Sequence, residues 1–210
     1  PRRRGATELP MVLTKPRQWD AEPFAALLAY DGGPRHVFDA TDLTGTWLTQ
    51  IRNTLNAEVF AFDAPDFHLV AAPHGQAGYS LLPQWAWKKY GLAALTGGNP
   101  PKNENLADPE FKRSAIDDLQ ARDGLYSEVG GTIPVLQKRG VVFCACHNAL
   151  WELAYDIIHN GGRNPDGRNQ RGLVADLIDA LIPGVVVTPG NEAVIGRLQR
   201  AGFSYSFAQA

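Results

Sequence analysis

An apolar run, Val141, Val142 and Phe143, passes into Cys144, Ala145 and Cys146, and an amphipathic segment carrying Leu150, Leu153, Ala154, Ile157 and Ile158 begins directly afterwards. This order sets both cysteines of the chain at a strand-to-helix turn, and in an open α/β sheet ligands and chemistry collect at the carboxyl ends of strands. The same alternation recurs on either side. Upstream, strand character at 35–39 is followed by Leu48, Ile51, Leu55 and Val59 at helical spacing, which predicts a helix over 46–60. An apolar strand over 67–72 then stops at Pro73, His74 and Gly75. Downstream come a short helix over 173–181, a buried strand over 185–188, a helix over 192–201 closed by Gly202, and an alternating edge strand over 203–207. Five strands separated by helices predict a mostly parallel sheet covered on both faces.

The chain has 210 residues, 44% hydrophobic and 20% charged, enough for one α/β domain with a sizeable core. The domain is expected over 20–210, after an N-terminal extension 1–19, with insertions at about 91–108 and 159–172. Twenty basic residues against 22 acidic ones leave a net charge of −2, so no field draws a polyanion and no nucleic-acid partner is expected. No apolar run reaches the roughly 18 residues of a membrane span.

The opening Pro1, Arg2, Arg3 and Arg4 reads as a solvated basic tail or as an end left by cleavage of a leader, because Glu8 and Pro10 interrupt any apolar signal region. A periplasmic or exported location is the expectation, a cytoplasmic one the alternative. Asp20 reads as the cap of a helix carrying Phe24, Leu27 and Leu28. The aromatic stretch 78–91 predicts a short helix, 97–108 a long loop, and Asp108 with Pro109 the start of a helix reaching Leu119.

Cys146 is the leading candidate nucleophile: a helix N-terminus favours the thiolate and lowers its pKa. Cys144 shares its strand face and is either a resolving thiol or a buried structural one. Two cysteines two apart would form a strained ring, so they are not read as a staple. His147 either raises the thiolate fraction or faces solvent. Asn148 is expected to cap the helix. His74 ends its strand on the rim that Cys146 occupies, so Cys144, Cys146 and His74 could form a zinc or copper set. That set lacks a second ligand pair at a recognised spacing, so no metal and no cofactor are expected, and a metal- or haem-binding protein stays an alternative. Trp85 and Trp87 line a pocket or a subunit interface, or else pack as an ordinary loop. Arg163, Arg168 and Arg171 make the second insertion locally basic, a solvated loop by default. There is no phosphate-binding glycine loop and no nucleophile elbow.

Three segments taken in order, Cys146-His147-Asn148, Leu181-Ile182-Pro183-Gly184-Val185, and Leu198-Gln199-Arg200-Ala201-Gly202-Phe203-Ser204-Tyr205, resemble the DsrE/DsrF-like family of sulfur-handling proteins. The resemblance implies a three-layer α/β sandwich, assembly into homo-oligomers, and persulfide sulfur carried on the strand-end cysteine, here Cys146. The function it implies is sulfane-sulfur transfer or thiol redox chemistry. The alternative from a different class is a non-catalytic binding or assembly subunit that meets a protein partner through the aromatic loop and the insertions.

Overall fold

The computed structural model describes residues 6–106, 126 and 128–208; the helix expected from Asp108 to Leu119 lies outside them. Strands β1 (Arg35–Ala40), β2 (His68–Pro73), β3 (Val142–Cys146), β4 (Val186–Thr188) and β5 (Ser204–Ala208) form one sheet in the order β4-β3-β2-β1-β5. Every pairing is parallel, with Val37 opposite Val70 and Tyr205, Ala71 opposite Phe143, and Ala145 opposite Val187. The helices are α1 (Ala21–Leu28), α2 (Trp47–Asn56), α3 (Gln84–Tyr90), α4 (Leu92–Leu95), α5 (Ile133–Lys138), α6 (His147–His159), α7 (Gln170–Ala180) and α8 (Asn191–Arg200).

Alternation along each strand divides the core in two. Phe38, Leu69, Ala71, Phe143 and Ala145 face α2, α6 and α7, whereas Val37, Val70, Ala72, Cys144 and Val186 face α1 and α8. The result is an α/β three-layer sandwich. Complete burial of side chains such as Ile51, Leu69 and Leu153 contributes about 1.5–3 kcal/mol each, which makes these two interfaces the main source of stability.

Right-handed crossovers fix which helix lies where. The steps β1 to β2 to β3 to β4 all move in one direction across the sheet and keep their helices on one face. The return from β4 to β5 runs the opposite way, so α8 lies on the other face. Neighbouring strands β3 and β4 therefore send their following helices, α6 and α8, to opposite sides, the topological switch point at the carboxyl end of the sheet.

Several local expectations change. Helix α2 stops at Asn56 and continues as a π-helical turn over Ala57–Ala61. The wider turn rotates Val59 off the buried stripe and leaves it half-buried. Asp20 makes no cap to α1; its carboxylate accepts the Val187 N–H at 2.7 Å, and its own N–H donates to the Val187 carbonyl at 2.9 Å. The outer edge of β4 is thus covered by the approach to α1. The basic tail Pro1 to Arg4 lies outside the described residues; within the described part of the extension Leu9 is buried, and its N–H donates to the Arg171 carbonyl at 3.1 Å. The loop after α4 is pinned by Asn103, whose buried amide donates to the carbonyls of Ser80 and Leu82 at 2.8 and 2.9 Å.

Candidate functional site

Cys146 is both the last residue of β3 and the N-cap of α6. Its Sγ accepts the Ala149 N–H at 3.5 Å, from the first turn of α6, and the Asn191 N–H at 3.4 Å, from the first residue of α8. The sulfur thus sits where two helices that leave the sheet on opposite faces begin, and it receives a backbone donor from each. Only 7% of the residue is exposed. Burial raises the thiol pKa above its ordinary value, and the N–H groups of Ala149, Asn191 and Asn148 offset only part of that. The lowered pKa expected from the helix N-terminus is therefore reversed by desolvation. Beside the sulfur, Gly75, Gly78, Tyr79 and Leu150 bound a cavity of about 10 Å³, room on the order of a single water-sized group.

Asn191 holds this arrangement together, and the sequence reading did not single it out. It is fully buried, and its amide donates to the carbonyls of Pro73 and Cys144 at 2.9 and 3.0 Å while its Oδ1 accepts the Thr188 hydroxyl at 2.7 Å. The side chain thereby bonds the end of β2 to β3 beyond the last β2–β3 register pair, Ala71 opposite Phe143. An asparagine just after Pro189 and Gly190 and before a helical stripe was the available signal, but it reads as a cap. Gly190 lets the α8 start approach α6, because a Cβ there would meet the Asn148 amide at 3.0 Å.

The other candidates separate. Cys144 has no exposure and points into the α8-side core, where burial pushes its pKa up to about 12, an environment that favours the structural reading of this thiol over the resolving one. Both cysteines are free. His147 neither faces solvent nor approaches the sulfur by any hydrogen bond among those described; it is buried, and its Nε2 donates to the Pro10 carbonyl at 2.8 Å. It anchors the N-terminal segment. Asn148 is an exposed second residue of α6, and the capping role expected of it belongs to Cys146. Trp87 is core, its Nε1 donating to the Tyr79 carbonyl at 3.0 Å, whereas Trp85 on the opposite side of α3 is 55% exposed. The two tryptophans therefore line no common pocket.

His74 does reach the rim. Its Nε2 donates to Asp39 Oδ1 at 2.9 Å, and Asp39 Oδ2 accepts the Tyr205 hydroxyl at 3.0 Å. The hydrogen bond to Asp39 raises the His74 pKa above its ordinary value despite partial burial. Among the described residues no group of three or more His, Cys, Asp and Glu side chains is placed to hold a metal ion, so the Cys144, Cys146 and His74 set is not assembled. A wider groove of about 410 Å³ lies between α1 and α8, lined by Trp19, Phe24, Leu28, Val194 and Arg197, and contains none of the candidate site residues. No described helix is long and apolar enough to cross a membrane.

No family model matches the chain. No curated protein matches it either. Among solved structures it is similar to MTH1491, a protein of unknown function from Methanobacterium thermoautotrophicum, at 20% sequence identity over 83% of this chain and 98% of that one, with a TM-score of 0.41.

Proposed function

We propose that the chain is a DsrE-like thiol protein that accepts and passes a sulfane sulfur on Cys146. The observation that carries this reading is the Sγ of Cys146 at the carboxyl end of β3, receiving N–H donors at 3.5 and 3.4 Å from the starts of α6 and α8. Two fixed backbone donors stabilise negative charge on Sγ without reorganisation, which favours the thiolate that attacks a sulfur donor and that leaves when the sulfur is passed on. The adjoining cavity of about 10 Å³ is of the right order for one added sulfur atom. Burial keeps the resting thiol protonated and protects it from adventitious oxidation, which suits a carrier.

The test is incubation with a small-molecule persulfide followed by intact-protein mass spectrometry. Gain of one sulfur atom on the wild type and the Cys144→Ala variant, with none on Cys146→Ser, is the expected result. A wild-type protein that gains no sulfur under conditions where a control thiol does sinks the proposal.

Self-association belongs to the same reading. Strand β5 pairs with β1 alone among the described strands and presents Tyr205 and Phe207, both more than two-fifths exposed, and Trp85 is exposed on α3. An edge strand with adjoining aromatics favours a second copy or a protein partner as its cover.

A further inference from the structure

We infer that His74, oriented by Asp39, is the acid–base group of the Cys146 site; the inference rests on the sulfur-transfer reading above. Asp39, His74 and Cys146 stand at the carboxyl ends of three successive neighbours in the sheet, β1, β2 and β3. All three share the face covered by α8, since Asp39 has the parity of Val37, His74 that of Ala72, and Cys146 that of Cys144. One buried residue joins the last two positions: Asn191 donates from its amide to the carbonyl of Pro73, the residue before His74, and from its backbone to Cys146 Sγ. Neighbouring strands run about 4.8 Å apart, and in this inference the proton passes between the imidazole and the thiol at these adjoining strand ends directly or through one water.

The carboxylate is built to hold the ring. Asp39 is 9% exposed, and its two oxygens take His74 Nε2 and the Tyr205 hydroxyl, which fixes the imidazole orientation and protonates Nε2. That leaves Nδ1 for exchange at the rim, and among the described residues it makes no hydrogen bond. In the step that follows, the imidazole takes the proton from Cys146 Sγ, and the thiolate attacks the outer sulfur of a persulfide R–S–SH. The donor S–S bond breaks, a bond from Sγ to the transferred sulfur forms, and the electron pair leaves on R–S⁻. The imidazolium then protonates R–S⁻, so that Cys–SH and R–S–SH become Cys–S–SH and R–SH with no outside oxidant. The charged groups around His74 are Asp39 from β1, with Tyr205 of β5 bonded to it, Glu192 of α8 and Glu152 of α6. All of them favour the imidazolium. Below its raised pKa His74 cannot accept a proton, and above it the ring becomes the base, so the loading rate should climb with pH through that value.

Two measurements test this on the intact chain: persulfide loading by mass spectrometry, and alkylation of Cys146 by iodoacetamide across pH. H74Q is expected to load sulfur at least about 100-fold more slowly and to lose the lower inflection of the alkylation profile. D39N should keep that inflection and move it to lower pH; if H74Q does not fold, D39N carries the test. Unchanged loading and an unchanged alkylation profile in the folded variant would overturn the inference. A wild type that takes up no sulfur but whose alkylation inflection depends on His74 would refute the sulfur reading and leave the acid–base assignment standing.

Discussion

A thiol that is 7% exposed and held protonated by burial reacts slowly, so native Cys146 should be alkylated at neutral pH more slowly than a free model cysteine. Cys144 should be labelled only after unfolding, and peptide mapping of a labelling time course checks both. Cys144 also makes an alkaline prediction. Its folded pKa lies above its unfolded value of about 9, so the unfolded chain loses the proton first. Stability is therefore complete below about pH 9 and falls as pH rises from there toward 12, and a Cys144→Ala protein, less stable overall, should show a shallower decline in denaturant midpoint. His74 acts in a lower window. Its raised pKa means that the pair with Asp39 stabilises the fold fully below about pH 6.5 and ceases to do so as pH climbs through the folded value. Equilibrium denaturation of H74Q against wild type should show the difference narrowing with pH; a gap that stays constant from pH 5 to 9 would contradict the pairing.

At the scale of elements, the junction of β2, β3 and α8 depends on one side chain. Asn191→Ala removes three hydrogen bonds and leaves the buried carbonyls of Pro73 and Cys144 unpaired, with a cost expected to exceed about 2 kcal/mol. Because the same residue sets the N–H that reaches Sγ, Cys146 alkylation should change in the variant as well. Chemical denaturation and labelling read the two effects separately. The turn from α8 into β5 depends on Gly202, whose φ of +91° lies where a side chain is strained and where a Cβ would meet Arg35 Nη2 at 3.0 Å. Gly202→Ala should cost about 1 kcal/mol or more, measured by the shift in midpoint.

For the whole molecule, light scattering at micromolar concentration should return a mass above that of one chain if the open edge of β5 and the exposed Trp85 are covered by a second copy. A monomer would remove the proposal of self-association. Alternation of apolar strands with helical stripes was enough to determine the layered α/β architecture, the positions of all five strands within a residue or two, and the placing of Cys146 at a strand-to-helix turn, because local periodicity and the hand of crossovers are properties of the chain itself. The pKa of Cys146 was not legible there, since it is set by how much water α6, α8 and their neighbours exclude, and burial outweighed the helix N-terminus that the sequence advertised. His147 turned inward to a carbonyl, that of Pro10, supplied by a segment that only packing brings near, and Trp87 turned inward to the carbonyl of Tyr79 within its own aromatic stretch. Asn191 and the link from Tyr205 through Asp39 to His74 join residues separated by tens to more than a hundred positions, and such bonds exist only once the sheet has set β5 beside β1 and α8 across its face.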